Sequence, residues 1–595
     1  MMLSPAVASV CALTILSLAE ALACAQGSVL AASQSTLRQQ YIDAQKAQQR
    51  NDLAAAAVGY RGFLSHAQAE LAEAYMLAGD YPHALERMDD ALALSRENEL
   101  LLQAARVYLL AGNMDHAGVL ATSLIQAGSA PKEILAGAHQ VLGRVRLKQQ
   151  RDQEARKEFE QATELDPTFL NGYDLAVACL DLGDETCATQ VFGEMEHSFG
   201  DKAELHVAFG KAYGNSDFQP RAITEFRRAI AEDPRLPGTH YLLAAVLLAN
   251  GGDESARVSA EHELMEELQL SPHDSLTYST LGQIALIQKD YPRAEEFLQK
   301  AILYGAQLPE GYLYLGQVYF NTGKMTQAEE ALRNCVRLTR DVSRNRYQVQ
   351  KAHYLLGRIL SQRGQQEEAH AELQLSRDLA DKTLALDKSR LAGVMDTAHE
   401  SAVQVEMPDA AETTEAAAQP HDPHALQNAQ SLEKELRPVL ADGYNNLGAL
   451  AATRNDFAEA TSDFRHAAVW DPKLDGLDYN WGRAAFAGNQ YAEAVGPLSR
   501  YVAAHGDDMG ARSVLAISEF QTGNYQACID ALRPTDGKTE LAQQVQYIYA
   551  EALVKTRRFN EGIDRLTALA KANPGVGEIQ SALVEARALQ GASRR

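Results

Sequence analysis

One spacing governs what this chain can fold into. Three segments, starting at Leu142, Phe209 and Leu447, each open with a large apolar residue followed by glycine. Alanine then comes thirteen residues after the start, phenylalanine four later, alanine three after that and proline five further on. The matching positions are Ala155, Phe159, Ala162 and Pro167; Ala222, Phe226, Ala229 and Pro234; and Ala460, Phe464, Ala467 and Pro472. A fixed period of this kind means one supersecondary unit copied along the chain. No copy can bury its apolar face alone, so copies must stack on one another. Anchored on the first apolar residue, the unit recurs at Leu71, Ala104, Leu142, Leu175, Phe209, Leu243, Leu281, Leu315 and Leu356, and again at Leu447, Trp481, Leu515 and Tyr549. Most intervals are 33 or 34 residues; they are 38 after Ala104 and Leu243 and 41 after Leu315, which places extra residues in loops or in longer helices.

The offsets spell a helical hairpin. In the second half of each unit, alanine, a large apolar residue and alanine at i, i+4 and i+7 make one stripe that faces back to the first half. Between the halves stand Gly79-Asp80, Gly112-Asn113, Gly183-Asp184 and Gly523-Asn524, where glycine can take positive φ after a helix. Proline then closes the second helix. With 40 glycines, 18 prolines and abundant alanine in 595 residues, the composition suits a helical chain with few long loops.

This pattern resembles the tetratricopeptide repeat family, whose unit reads W-x2-L-G-x2-Y followed by Ala, Phe, Ala and Pro. The resemblance implies an all-α fold, an α-solenoid in which helix-turn-helix repeats wind as a right-handed superhelix, here in two arrays. The expected layout is a signal peptide over 1–25, a capping helical pair over 36–64 and an array of about nine repeats over 65–400. An acidic, disordered linker over 401–424 and a second array of about four repeats over 425–595, closed by a capping helix near Glu578–Leu589, complete it. The stretch from Gln365 to Leu391 lacks glycine and proline, so the second helix of the ninth repeat is expected to run long.

Residues 1–25 carry an uncharged, mostly apolar run from Ala6 to Leu18, then small residues at Ala21, Ala23 and Ala25 that offer two A-x-A cleavage sites. Ala21-Leu22-Ala23-Cys24 also resembles a lipobox, which would make Cys24 a lipidation site. The expected location is the periplasm, the cell envelope or the exterior, with membrane contact only through such an anchor. The net charge of −24, from 55 basic and 79 acidic residues, argues against nucleic acid as a partner, because binding phosphates needs clustered Lys and Arg.

Motifs for chemistry are nearly absent. His262-Glu263-Leu264-Met265-Glu266 begins like a zinc-protease motif but has glutamate at the second histidine position. His421 and His424 lack a third placed ligand. No catalytic residue, metal site or cofactor is expected. Cys335 and Cys528 fall where the repeat wants a small buried residue. Cys179 and Cys187 flank Gly183 symmetrically, and two readings stay open: a disulfide that staples the hairpin, or two buried thiols.

In the resembled family the first helix of each repeat lines the concave face, and the residues one or two before the anchor point into it. In the second array these are Asn445, Asn446, Tyr479 and Asn480, with Arg483 nearby. Asn446 and Asn480 stand one repeat apart, like the asparagine ladder with which some members grip an extended peptide. Side-chain amides offer both a donor and an acceptor to a peptide unit. In the first array Tyr173, Tyr241 and Tyr354 take the corresponding position, with Tyr314 one place on. Either binding or packing between repeats accounts for these tyrosines. The functional expectation is a non-catalytic scaffold or adaptor that binds proteins or extended peptide segments. The alternatives are an enzyme or enzyme subunit with a site between the arrays, and a cytoplasmic adaptor.

Overall fold

The computed structural model describes residues 36–250, 253–339, 346–396, 424–535 and 541–593. The leader over 1–25 with Cys24, and the expected linker apart from His424, lie outside the described residues. Among the described residues every regular element is a helix, and successive helices pack in antiparallel pairs as an α-solenoid.

The third and fifth repeats show how the repeated residues make the hairpin. Helix Lys132–Lys148 pairs with Asp152–Leu165, and Ala203–Asn215 pairs with Gln219–Glu232. Ala155, Phe159 and Ala162 are buried along one stripe, as are Ala222, Phe226 and Ala229. The glycine after each anchor makes room for the aromatic ring. A Cβ on Gly143 would sit 2.6 Å from the Phe159 ring, and one on Gly210 would sit 2.8 Å from Phe226. Burying a ring of this size is worth about 2–3 kcal/mol. Extra residues lengthen helices: Lys132–Lys148 and Glu254–Leu270 have 17 residues each, and Gln366–Asp396 has 31.

The turns follow local chemistry. Gly183 adopts φ +74°, and the Asp184 side chain then caps helix Glu185–Phe199 by accepting the Cys187 backbone N–H at 3.0 Å. Asp80 and Asn113 cap their helices in the same way. Across this turn Cys179 and Cys187 are joined by a disulfide with a Cα–Cα distance of 5.9 Å. Of the two readings open for this pair, the structure forms the bridge.

The chain divides into two compact units, and their membership does not follow the linear order. One comprises the described residues from Tyr108 to Asp396; the other joins the residues up to Val107 to those from His424 onward. The linear layout assigned 36–64 and the first repeats to the first array. The structure instead packs helix Leu53–Leu77 against helix Ala425–Thr453. The reason is the width of the apolar face. Tyr60, Phe63, Leu64, Ala67 and Leu71 are all buried in one core with Leu432, Leu436, Leu440, Tyr444 and Leu447. Gly443 lets the helices approach, since a Cβ there would lie 3.0 Å from Leu64.

Candidate peptide-binding faces and the buried polar network

In the second array, Asn446 is not available as a ladder rung. Its Nδ2 donates to the Asp442 backbone carbonyl at 2.9 Å and to the Asp442 carboxylate at 2.8 Å. Its Oδ1 accepts from Gln48 at 3.3 Å. Gln48 belongs to the helix over 36–49, whose Tyr41 hydroxyl also donates to Asp442. The amide is used up because the N-terminal helix packs over this position, a contact the repeat pattern does not encode.

Asn445 and Asn480 come together instead. Asn480 Nδ2 reaches Asn445 Oδ1 at 3.5 Å, and both side chains are half-buried. Among the described residues this is the one side-chain hydrogen bond either amide makes. Next to Asn480, Tyr479 packs its ring 4.8 Å from that of Tyr501, and Arg483 lies over the Tyr479 ring while donating to its hydroxyl at 3.1 Å. Arg483 itself is exposed. Asn445, Tyr479, Asn480 and Arg483 therefore sit together on the first helices of two neighbouring repeats, the first three half-buried and Arg483 exposed.

The tyrosines of the first array divide. Tyr241 is 8% exposed and belongs to a core cluster with Leu264 and Leu281, so it packs repeats together and offers no ligand surface. Tyr314 is half-buried against the core of its own repeats. Tyr173 stacks on Phe169 with ring centroids 5.8 Å apart, and burial, followed by the Asp174 charge, pushes its hydroxyl up to about 12. Tyr354 is 45% exposed, and Arg358 lies over both its ring and that of Phe320. Of the four, Tyr354 alone presents a largely open ring.

Polar residues that the pattern reading passed over link helices and repeats. Arg144 and Gln140 of the third repeat both donate to Asp174 of the fourth, at 3.0 Å each. Burial raises the Asp174 carboxyl, and Arg144 opposes the rise. Lys211 holds the position of Arg144 two repeats on, and burial pulls its ammonium down. A second motif recurs inside repeats. His139, His206, His240 and His353 each stand three residues before an anchor, and each Nδ1 faces a glutamate on the second helix. The partners are Glu158 at 2.7 Å, Glu225 at 2.7 Å, Glu263 at 2.6 Å and Glu372 at 2.5 Å. Every one of these glutamates directly precedes the large apolar residue of its second helix. This signal was present in the sequence, but it emerges only once the repeats are aligned and the second helices turned to face the first. It also absorbs Glu263 of the protease-like segment.

His206 is fully buried, and its Nε2 also faces Asp201 at 2.5 Å, with Glu196 close by. Three groups able to bind a metal thus converge. Arg228 answers their charge: its guanidinium lies 2.8 Å from Glu196, 3.6 Å from Asp201 and 3.7 Å from Glu225. The arrangement is an ion network with its own cation. Burial pushes the Cys335 and Cys528 thiols up to about 12, which keeps them protonated and poor as nucleophiles or metal ligands.

Sequence-family models described as tetratricopeptide repeat match residues 136–169, 309–342 and 479–533, in both halves of the chain and on helical hairpins of the expected register. The chain carries tetratricopeptide repeats at these residues. No curated protein sequence matches it. Among solved structures, a tetratricopeptide repeat protein from Parabacteroides merdae is similar at 13% identity over 43% of this chain and 98% of that one, with a TM-score of 0.32. MamA from Desulfovibrio magneticus RS-1 is similar at 20% identity over 31% of this chain and 97% of that one, with a TM-score of 0.27. YrrB, a repeat protein with an unusual peptide-binding site, is similar at 16% identity over 33% and 97%, with a TM-score of 0.27.

Proposed function

We propose that this repeat protein is a non-catalytic scaffold that holds extended segments of other proteins along the first helices of its repeats. The observation that carries this reading is the Asn445–Asn480 pair. One long contact links the two amides, which leaves the Asn445 NH2 and the Asn480 carbonyl to meet a peptide backbone. Tyr479 and Arg483 beside them add an aromatic face and a cation. Tyrosine gives contact area at low rotamer cost.

Export to the periplasm, the envelope or the exterior is part of the proposal, with anchoring at Cys24 as its membrane-bound form. The leader-like residues 1–25 support it, and so does the Cys179–Cys187 disulfide, since such bonds persist in oxidising compartments. The acidic balance of −24 favours protein partners over nucleic acid.

Crosslinking and affinity capture from the cell envelope tests the binding face. Asn445→Ala/Asn480→Ala is expected to lose partners that the wild type and Asn446→Ala both retain. An unchanged partner set in the double variant would sink the amide-pair reading. Mapping the mature N-terminus tests export, and an intact Met1 on cytosolic protein would defeat it.

A further inference from the structure

Four histidine–glutamate pairs cross the hairpins of the first unit. In the tenth repeat the acid is still present without the histidine. Asp463 directly precedes Phe464, the place of the glutamates, while three residues before Leu447 stands Tyr444. Asp463 is 7% exposed, and its Oδ2 is buried with no hydrogen-bond partner. Gln68, wholly buried on helix Leu53–Leu77, donates to the Tyr444 hydroxyl at 3.4 Å and leaves its own Oε1 without a donor. This junction between residues 36–107 and the tenth repeat therefore buries two acceptor atoms that have no hydrogen-bond partner.

The charges around Asp463 do not repair this. Glu459 on its own helix and Asp456 at that helix's cap add negative charge. Arg61 from helix Leu53–Leu77 and Arg454 after helix Ala425–Thr453 oppose it, but both are bonded to Glu459. Tyr444 faces it from helix Ala425–Thr453, and His466 stacks on Tyr444 with ring centroids 5.2 Å apart. Beyond them lie Arg87 and Asp90 of helix Tyr81–Leu94, and burial raises the Asp90 carboxyl too. The net effect, burial first and Glu459 second, pushes Asp463 up to about 7.

We propose that Asp463 is a pH-sensitive latch on the junction: protonated, it buries a neutral acid there, and ionised, it buries an unpaired charge that loosens the hold of residues 36–107 on the tenth repeat. The inference rests on junction geometry and not on the peptide-binding reading. Its consequence meets that reading, because the helix over 36–49 carries Tyr41 and Gln48, which cover Asp442 and Asn446. Loosening the junction uncovers those two first-helix positions.

The folded value lies above the ordinary 3.8 of an aspartate. Closure is therefore favoured fully below that ordinary value, and the advantage is lost as pH rises through about 7. Between pH 5.5 and 8.5 the closed-to-open ratio falls about tenfold or more.

Native-state hydrogen exchange on the full chain, corrected for the intrinsic pH dependence of exchange, reads this directly. Amides of Leu53–Leu77 and Ala425–Thr453 are expected to lose about tenfold of their protection over that range. Helix Met509–Gln521, outside the junction, serves as the reference. Asp463→Asn keeps the shape, carries no ionisable proton and is expected to flatten the profile. Asp463→Leu removes the carboxyl altogether and is expected to flatten it as well, which keeps the test decisive if the first variant folds poorly. A flat wild-type profile overturns the proposal. So does a wild-type slope that survives in either folded variant.

Discussion

Arg87 stands over the Trp470 indole with its guanidinium carbon 4.9 Å from the ring centroid, although most of the chain lies between them in sequence. Arg437 approaches the same ring at 5.3 Å and donates to the Trp470 carbonyl at 2.9 Å. The indole is buried where the first repeat meets the tenth. Trp470→Ala is expected to cost about 3–5 kcal/mol, the range for removing a large buried ring. Urea denaturation followed at this junction measures it, and a loss below 1 kcal/mol would mean that the indole is not a keystone there.

The same junction predicts fragment complementation. Residues 36–396 and 424–595 expressed as separate polypeptides are expected to co-purify, since the core that joins them contains Phe63, Leu64, Leu436 and Leu440. Expressed alone, 424–595 exposes that apolar face and is expected to aggregate. Size-exclusion chromatography of the co-expressed pair checks both outcomes.

The glycines separate two kinds of position. Gly210→Ala places a methyl against the Phe226 ring and is expected to destabilise its repeat by about 1–3 kcal/mol. Gly62→Ala on helix Leu53–Leu77 meets nothing within 4 Å and is expected to stabilise by about 0.5–1 kcal/mol. Thermal melts of the two variants should therefore move in opposite directions.

His240 couples stability to pH. Donation of its Nδ1–H to the Glu263 carboxylate raises the imidazole above its ordinary 6.5 despite burial. A raised histidine stabilises fully below its unfolded value and loses that contribution as pH rises through the folded one. Between pH 6 and 8.5 the pair is expected to lose about 1 kcal/mol. Unfolding free energies of wild type and His240→Gln should differ more at the lower pH, and a constant difference would refute the coupling.

The cysteines behave as two classes. Reducing the Cys179–Cys187 bridge, which closes a loop of sequence separation 8, is expected to cost about 2–3 kcal/mol by chain entropy. Hydrogen exchange in helices Phe169–Asp181 and Glu185–Phe199 reports that loss. Cys335 and Cys528, buried and held as thiols, are expected to escape iodoacetamide at pH 8 until the protein is unfolded. Mass mapping of alkylated peptides distinguishes the classes.

Much of the site was readable at the level of position and little of it at the level of availability. Asn446 and Asn480 share a repeat position, yet one is consumed by Gln48 and Asp442 while the other stays open. Tyr241 and Tyr354 also share a position, yet one is core and the other largely open. Repeat register sets where a side chain starts. Its exposure depends on what the neighbouring repeat, or a distant helix, lays over it.

What the sequence determined by itself was everything local: the hairpin period, the glycine and aspartate at the turns, and the small residues that admit Phe159 and Phe226. These follow from dihedral preference, capping and a contact spacing of a few residues, so they are written within one copy of the unit. The tertiary structure alone decided that residues 36–107 join the unit after His424, that Asp463 is buried with an oxygen left unpaired, and that the cysteine pair is bonded. Each depends on matching surfaces or atom positions that only the packed helices bring together, and a one-dimensional pattern carries no record of them.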